Sequence, residues 1–130
     1  STTGTRAALA VALLACAAPA HAEDFALTCI GTQTGYSINF EYRWGEDDEW
    51  TSTTVAPGQW HLLGYHYRLP GRHQSPQLQV RYDDDLTDGV HPVVTSIGSY
   101  AAYSQDCEGE GWRYNFFERD NELFIRNEEG

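Results

Sequence analysis

Tyr36-Ser37-Ile38-Asn39-Phe40-Glu41-Tyr42-Arg43-Trp44 alternates large apolar with polar residues at every step. Successive side chains of an extended chain point to opposite faces, so Tyr36, Ile38, Phe40, Tyr42 and Trp44 share one side and Ser37, Asn39, Glu41 and Arg43 the other. A helix would scatter the same five apolar residues around its circumference. The stretch predicts a half-buried strand with one face on a core.

The same alternation recurs in both directions. Leu78, Val80 and Tyr82 oppose Gln77, Gln79 and Arg81, and further strands are expected at Phe25 to Ile30, Trp50 to Val55, Trp60 to Leu69, Val93 to Tyr103, Trp112 to Glu118 and Leu123 to Arg126. Turn chemistry divides them. Ala56-Pro57-Gly58-Gln59 has proline to set φ and glycine to accept a positive φ, the pattern of a type II turn. Leu69-Pro70-Gly71-Arg72 repeats it, and Arg119-Asp120-Asn121-Glu122 predicts the last hairpin. About eight short strands without a helix predict an all-β, single-domain antiparallel sandwich or barrel.

That domain is expected over 23–130. Residues 1–22 read as a secretory signal peptide: Arg6, an apolar run too short to span a bilayer, then Ala20-His21-Ala22 as an Ala-x-Ala cleavage site. Leu13-Leu14-Ala15-Cys16 competes as a lipobox that would anchor the chain through a lipid on Cys16. The site ending at Ala22 fits better, because the charged pair Glu23-Asp24 follows it. Cleavage there leaves Cys29 and Cys107, an even number in an oxidising compartment, and predicts one disulfide.

All eight basic residues are arginines. Without Arg6, seven of them face nineteen acids, so the charge sign excludes nucleic acid and anionic membrane surfaces as partners. The acids gather at Glu46 to Glu49, Asp83 to Asp88, Asp106 to Glu110 and Glu118 to Glu122, between the apolar segments, as loops do. Gly35 to Arg43 and Gly111 to Arg119 share the pattern G-aromatic-x-apolar-N-F-x-x-R, which either a duplicated half or a common burial rule would produce.

Cys29, Thr32, Thr34, a tyrosine-bearing alternating strand, Trp50-Thr51-Ser52 and Pro57-Gly58 follow one another in an order that resembles small secreted bacterial domains of uncharacterised function. In those a C-N-x-T start precedes a W…PG segment. The resemblance covers about a third of the chain and departs from the pattern at Ile30-Gly31. It implies secretion and a β fold, and no activity.

Catalytic signatures are sparse. His61 and His66 differ by an odd number on one strand and so face opposite ways; His73 lies in a polar loop and His91 precedes Pro92. No nucleophile elbow, HExxH run or phosphate loop occurs. Aromatic residues are more suggestive. The segment from Trp60 carries large groups on both faces, and Trp60, Tyr65 and Tyr67 are the candidate binding surface for a protein or glycan partner.

In Tyr82-Asp83-Asp84-Asp85-Leu86-Thr87-Asp88-Gly89, the residues Asp83, Asp84, Asp85 and Asp88 are the candidate ligands for Ca2+, the one cofactor considered. The helix-loop-helix calcium pattern fails here, because Asp88 stands at the glycine position and Val94 at the twelfth. The competing reading is a solvated Ω-like turn held by Leu86 and Val90. The expected function is a non-catalytic binding module, secreted or periplasmic. Its alternatives are a calcium-dependent lectin-like module and a secreted hydrolase with an Asp/Glu pair about 5 to 10 Å apart.

Overall fold

The computed structural model describes residues 23–69, 71–107 and 112–128, so the expected signal peptide, Cys16 and Pro70 lie outside the described residues. The described residues are all-β, with nine strands among them: β1 (Phe25–Thr32), β2 (Ile38–Trp44), β3 (Thr51–Val55), β4 (His61–His66), β5 (Leu78–Asp83), β6 (Pro92–Ile97), β7 (Tyr100–Ala102), β8 (Trp112–Arg119) and β9 (Glu122–Asn127). They form two packed sheets and not a closed barrel. One sheet has the order β3-β2-β5-β6; the other runs β4-β1-β8-β9, with β7 paired to β1.

Two features depart from the expected all-antiparallel arrangement. β1 pairs with β8 in parallel, Ile30 opposite Tyr114, so that sheet is mixed. The expected strand from Val93 to Tyr103 divides at Gly98-Ser99, where the chain leaves one sheet for the other. Tyr114 Oη accepts from the Gly98 N–H at 2.8 Å, while the Thr28 hydroxyl donates to the Gly98 carbonyl. A β-carbon at Gly98 would come within 3.1 Å of that Tyr114 oxygen, which favours glycine at the crossing.

The inner faces meet as the alternation requires. Ile38, Phe40 and Trp44 of β2 and Leu78, Val80 and Tyr82 of β5 pack against Ile30, Leu63, Phe116 and Leu123 of the other sheet. Phe116 is fully buried, its ring 5.5 Å from Phe40 and 5.2 Å from Tyr82. Phe40 and Phe116 are the phenylalanines of the two similar nine-residue segments, so the shared pattern marks an interior strand in each sheet.

β1 is buried on both faces, with Ala26, Leu27, Thr28, Cys29 and Ile30 all at 1% exposure or less. Cys29 of β1 is bonded to Cys107 in the segment that precedes β8. Arg113 ties the same segment down, its Nε and Nη2 both donating to the Cys107 carbonyl.

The turns follow their residues. Gly58 has φ 76° and the Gln59 N–H donates to the Ala56 carbonyl, although this turn links strands of different sheets instead of closing a hairpin. Asp120 and Asn121 both have positive φ, as a two-residue type I′ hairpin requires. Thr32 and Thr34 end β1: the Thr34 N–H donates to Thr32 Oγ1, and the Thr34 hydroxyl donates to the Tyr36 carbonyl.

Candidate functional site

At one end of the sandwich the loop after β2 meets the loop after β4. Gly45 has φ 90°, and a β-carbon there would lie 2.8 Å from the Pro76 side chain, so glycine lets the two loops touch. Asp48 folds the first loop, Oδ2 accepting from the Trp44 N–H at 3.0 Å and Oδ1 from the Glu49 N–H at 2.9 Å.

Between these loops lies a cleft of about 600 Å³. Trp44 and Tyr65 line it with rings 5.5 Å apart and tilted by 41°. Asp47 and Asp48 border it on one loop, Arg68, Arg72 and Gln74 on the other. A second depression, of about 570 Å³, shares Trp44 and extends over Gln77, Gln79 and Ser96. Trp44 therefore divides two adjoining recesses. The arrangement offers apolar ring surface for stacking beside donors and acceptors of both charge signs, a lining suited to holding a ligand that has an apolar face and a polar rim.

A broader groove of about 640 Å³ lies by β2, β3 and β5. Two of its charged groups, Glu41 and Arg81, are paired with each other. Arg81 meets Glu41 through two hydrogen bonds at 3.0 and 2.8 Å, and this contact holds the Glu41 carboxyl below its ordinary range. Arg81 and Arg43 also lie on Trp50, at 4.3 and 4.4 Å from the ring.

Of the three aromatic residues expected at a surface, Tyr65 borders the cleft. Trp60 is 38% exposed and packs over Gly31, with the Arg113 guanidinium 5.5 Å from its ring. Tyr67 is a core residue, which corrects its expected place: it is 7% exposed, shares the inward side with Leu63 and stacks on His73. Alternation shows which residues share a face without showing which face is covered. Trp44 is the inward residue expected from sequence, at 9% exposure, and it also borders the cleft because its strand ends at a glycine-acidic loop.

The acidic loop is held by its own hydrogen bonds. Asp83 Oδ1 accepts from the N–H groups of Asp85 and His91, Asp85 Oδ1 accepts from Thr87, and Asp84 Oδ1 meets His91 Nδ1 at 2.7 Å. Asp88 stands exposed. Among the described residues no group of three or more His, Cys, Asp or Glu is placed to hold a metal ion. Leu86 packs against the core as expected; Val90 does not, being 78% exposed.

The histidines are dispersed. His61 lies 3.3 Å from the Thr53 hydroxyl and edge-on to Phe40, and its burial lowers its pKa; His66 packs edge-on to Phe25. No known family, curated protein or solved structure matches the chain.

Proposed function

We propose that the protein is an exported, non-catalytic binding module whose end cleft holds a saccharide. The observation that carries this reading is a cleft lined by the half-buried Tyr65 and the core residue Trp44 together with Asp47, Arg68, Arg72 and Gln74. A pyranose ring has an apolar C–H face that packs on aromatic rings and equatorial hydroxyls that suit planar amide, carboxylate and guanidinium groups. Both oxygens of Asp48 are taken by backbone N–H groups, which argues against an acid/base pair within the cleft. Export rests on the reading of residues 1–22 and agrees with the disulfide.

A glycan array followed by titration calorimetry tests the proposal. Arg72→Ala and Gln74→Ala alter exposed side chains and are expected to weaken binding with an unchanged melting temperature. Failure to retain any glycan, or binding indifferent to both substitutions, would refute it.

A further inference from the structure

We infer that the protein forms a two-fold dimer by pairing its β6 strand with β6 of a second copy, joining the two four-stranded sheets edge to edge. The argument begins with the direction of backbone groups. The Gly45 N–H donates to the Gln77 carbonyl at 2.8 Å, so the odd-numbered residues of β5 bond to β2. The Asp84 N–H donates to the His91 carbonyl at 3.1 Å, so the even-numbered residues of β5 bond to β6, through Tyr82/Val93, Val80/Thr95 and Leu78/Ile97. Both bonds give the same parity. Val94 and Ser96 therefore turn their N–H and C=O groups away from β5.

Nothing among the described residues covers them. β6 ends its sheet, and Val94 is 52% exposed. The β9 edge is handled differently: the Leu123 N–H there is taken by the Asp84 carbonyl and the Asn121 carbonyl by the Leu86 N–H. Free edges are usually blunted by charge, yet Pro92-Val93-Val94-Thr95-Ser96-Ile97 has none in a chain of formal charge −11.

A second copy fits this edge in a definite register. Antiparallel pairing with Thr95 opposite Thr95 sets Val94 of each copy against Ser96 of the other. The four N–H and C=O groups of Val94 and Ser96 in each strand then bond, and the N–H that Pro92 lacks is never needed. The two acidic loops, each at the start of its β6, fall at opposite ends of the joint, which keeps like charges apart. Ser96 also lines the recess beside Trp44, so Val94 of the second copy becomes a wall of that recess.

Sedimentation velocity on the purified chain tests this. We expect a concentration-dependent dimer that strengthens when salt is raised from about 50 to about 500 mM, because screening relieves repulsion between two acidic copies. Val94→Lys, which changes only an exposed side chain, should weaken association by roughly tenfold or more with an unaltered circular dichroism spectrum. Thr95→Cys should give a disulfide-linked species of twice the mass on oxidation, since the register sets the two thiols in a non-hydrogen-bonded pair. A monomer at every concentration and salt, a Val94→Lys variant that dimerises as tightly as the parent, or Thr95→Cys chains that do not cross-link would overturn the inference. So would open-ended assemblies, which indicate a head-to-tail joint such as β6 against β3.

Discussion

A β-carbon on Gly31 would lie 2.7 Å from Asn115 Oδ1 and 3.0 Å from the Trp60 ring. Asn115 is itself 2% exposed, with Nδ2 lacking any hydrogen-bond partner, so this spot is both tight and polar. We expect Gly31→Ala to destabilise by about 1–3 kcal/mol in denaturant titration. Asn115→Ala removes one of the two obstacles, so the double variant should lose less than the sum of the single ones. Tyr36 makes a second prediction at this scale. Its hydroxyl donates to Glu118 Oε2 at 2.7 Å, and ionisation would put a phenolate beside a carboxylate; that hydrogen bond, then burial and the Glu118 charge, pushes the phenol up to about 12. A raised folded pKa means this contribution is complete below about pH 10, the unfolded value, and is lost as pH rises through about 12. Ultraviolet titration should show a tyrosine with that late midpoint, absent in Tyr36→Phe. Neither the Gly31–Asn115 nor the Tyr36–Glu118 contact was legible in sequence, because each joins residues more than eighty positions apart.

Elements were read more securely than their surroundings. Period-two alternation locates β2 and β5 because both are covered on one face and polar on the other; β1 was also expected, from Phe25 to Ile30, but its pattern did not show that both of its faces are buried. Val93 to Tyr103 reads as one strand since nothing in its pattern announces a change of sheet; Gly98 was the available signal. The aspartate loop illustrates a different limit. Its composition suits a cation as well as a turn, and the decision depends on where each carboxylate finds its N–H. With Asp83 and Asp85 engaged by the loop's backbone, we expect millimolar calcium to leave the melting temperature unchanged. His91 reports on the same loop. Its hydrogen bond to Asp84, and then the Asp84 charge, raises its pKa, so the tie is complete below about pH 6.5 and is lost as pH rises through the folded value. A nuclear magnetic resonance titration should find the His91 midpoint above its ordinary value and falling in Asp84→Asn. A calcium-dependent melt or an unmoved His91 would show that another arrangement holds the loop.

Across the whole molecule, the disulfide was predictable from the cysteine count and the expected export, and the pairing of strands was not. Parallel contact between β1 and β8 joins the first strand to the eighth and leaves no local trace in either. The disulfide reinforces that contact, joining Cys29 on β1 to Cys107 in the segment before β8, 78 positions away. In the chain-entropy account, closing a loop of this length stabilises by about 4 kcal/mol, and measured values run near 2–4. The inter-sheet core contains neither cysteine, so the sandwich should survive reduction at low temperature while the segment that carries Cys107 loosens. Cys107→Ser is the better variant than Cys29→Ser, because Cys29 is fully buried and its thiol can remain there as a small apolar group, whereas a hydroxyl would lack a partner. We expect Cys107→Ser to lower the melting temperature by roughly 10–25 °C, with the far-ultraviolet spectrum retained below the transition. Equal melting temperatures for the variant and the oxidised parent would mean that β1 and β8 are held together by packing alone, and that the disulfide contributes little to the stability of the fold.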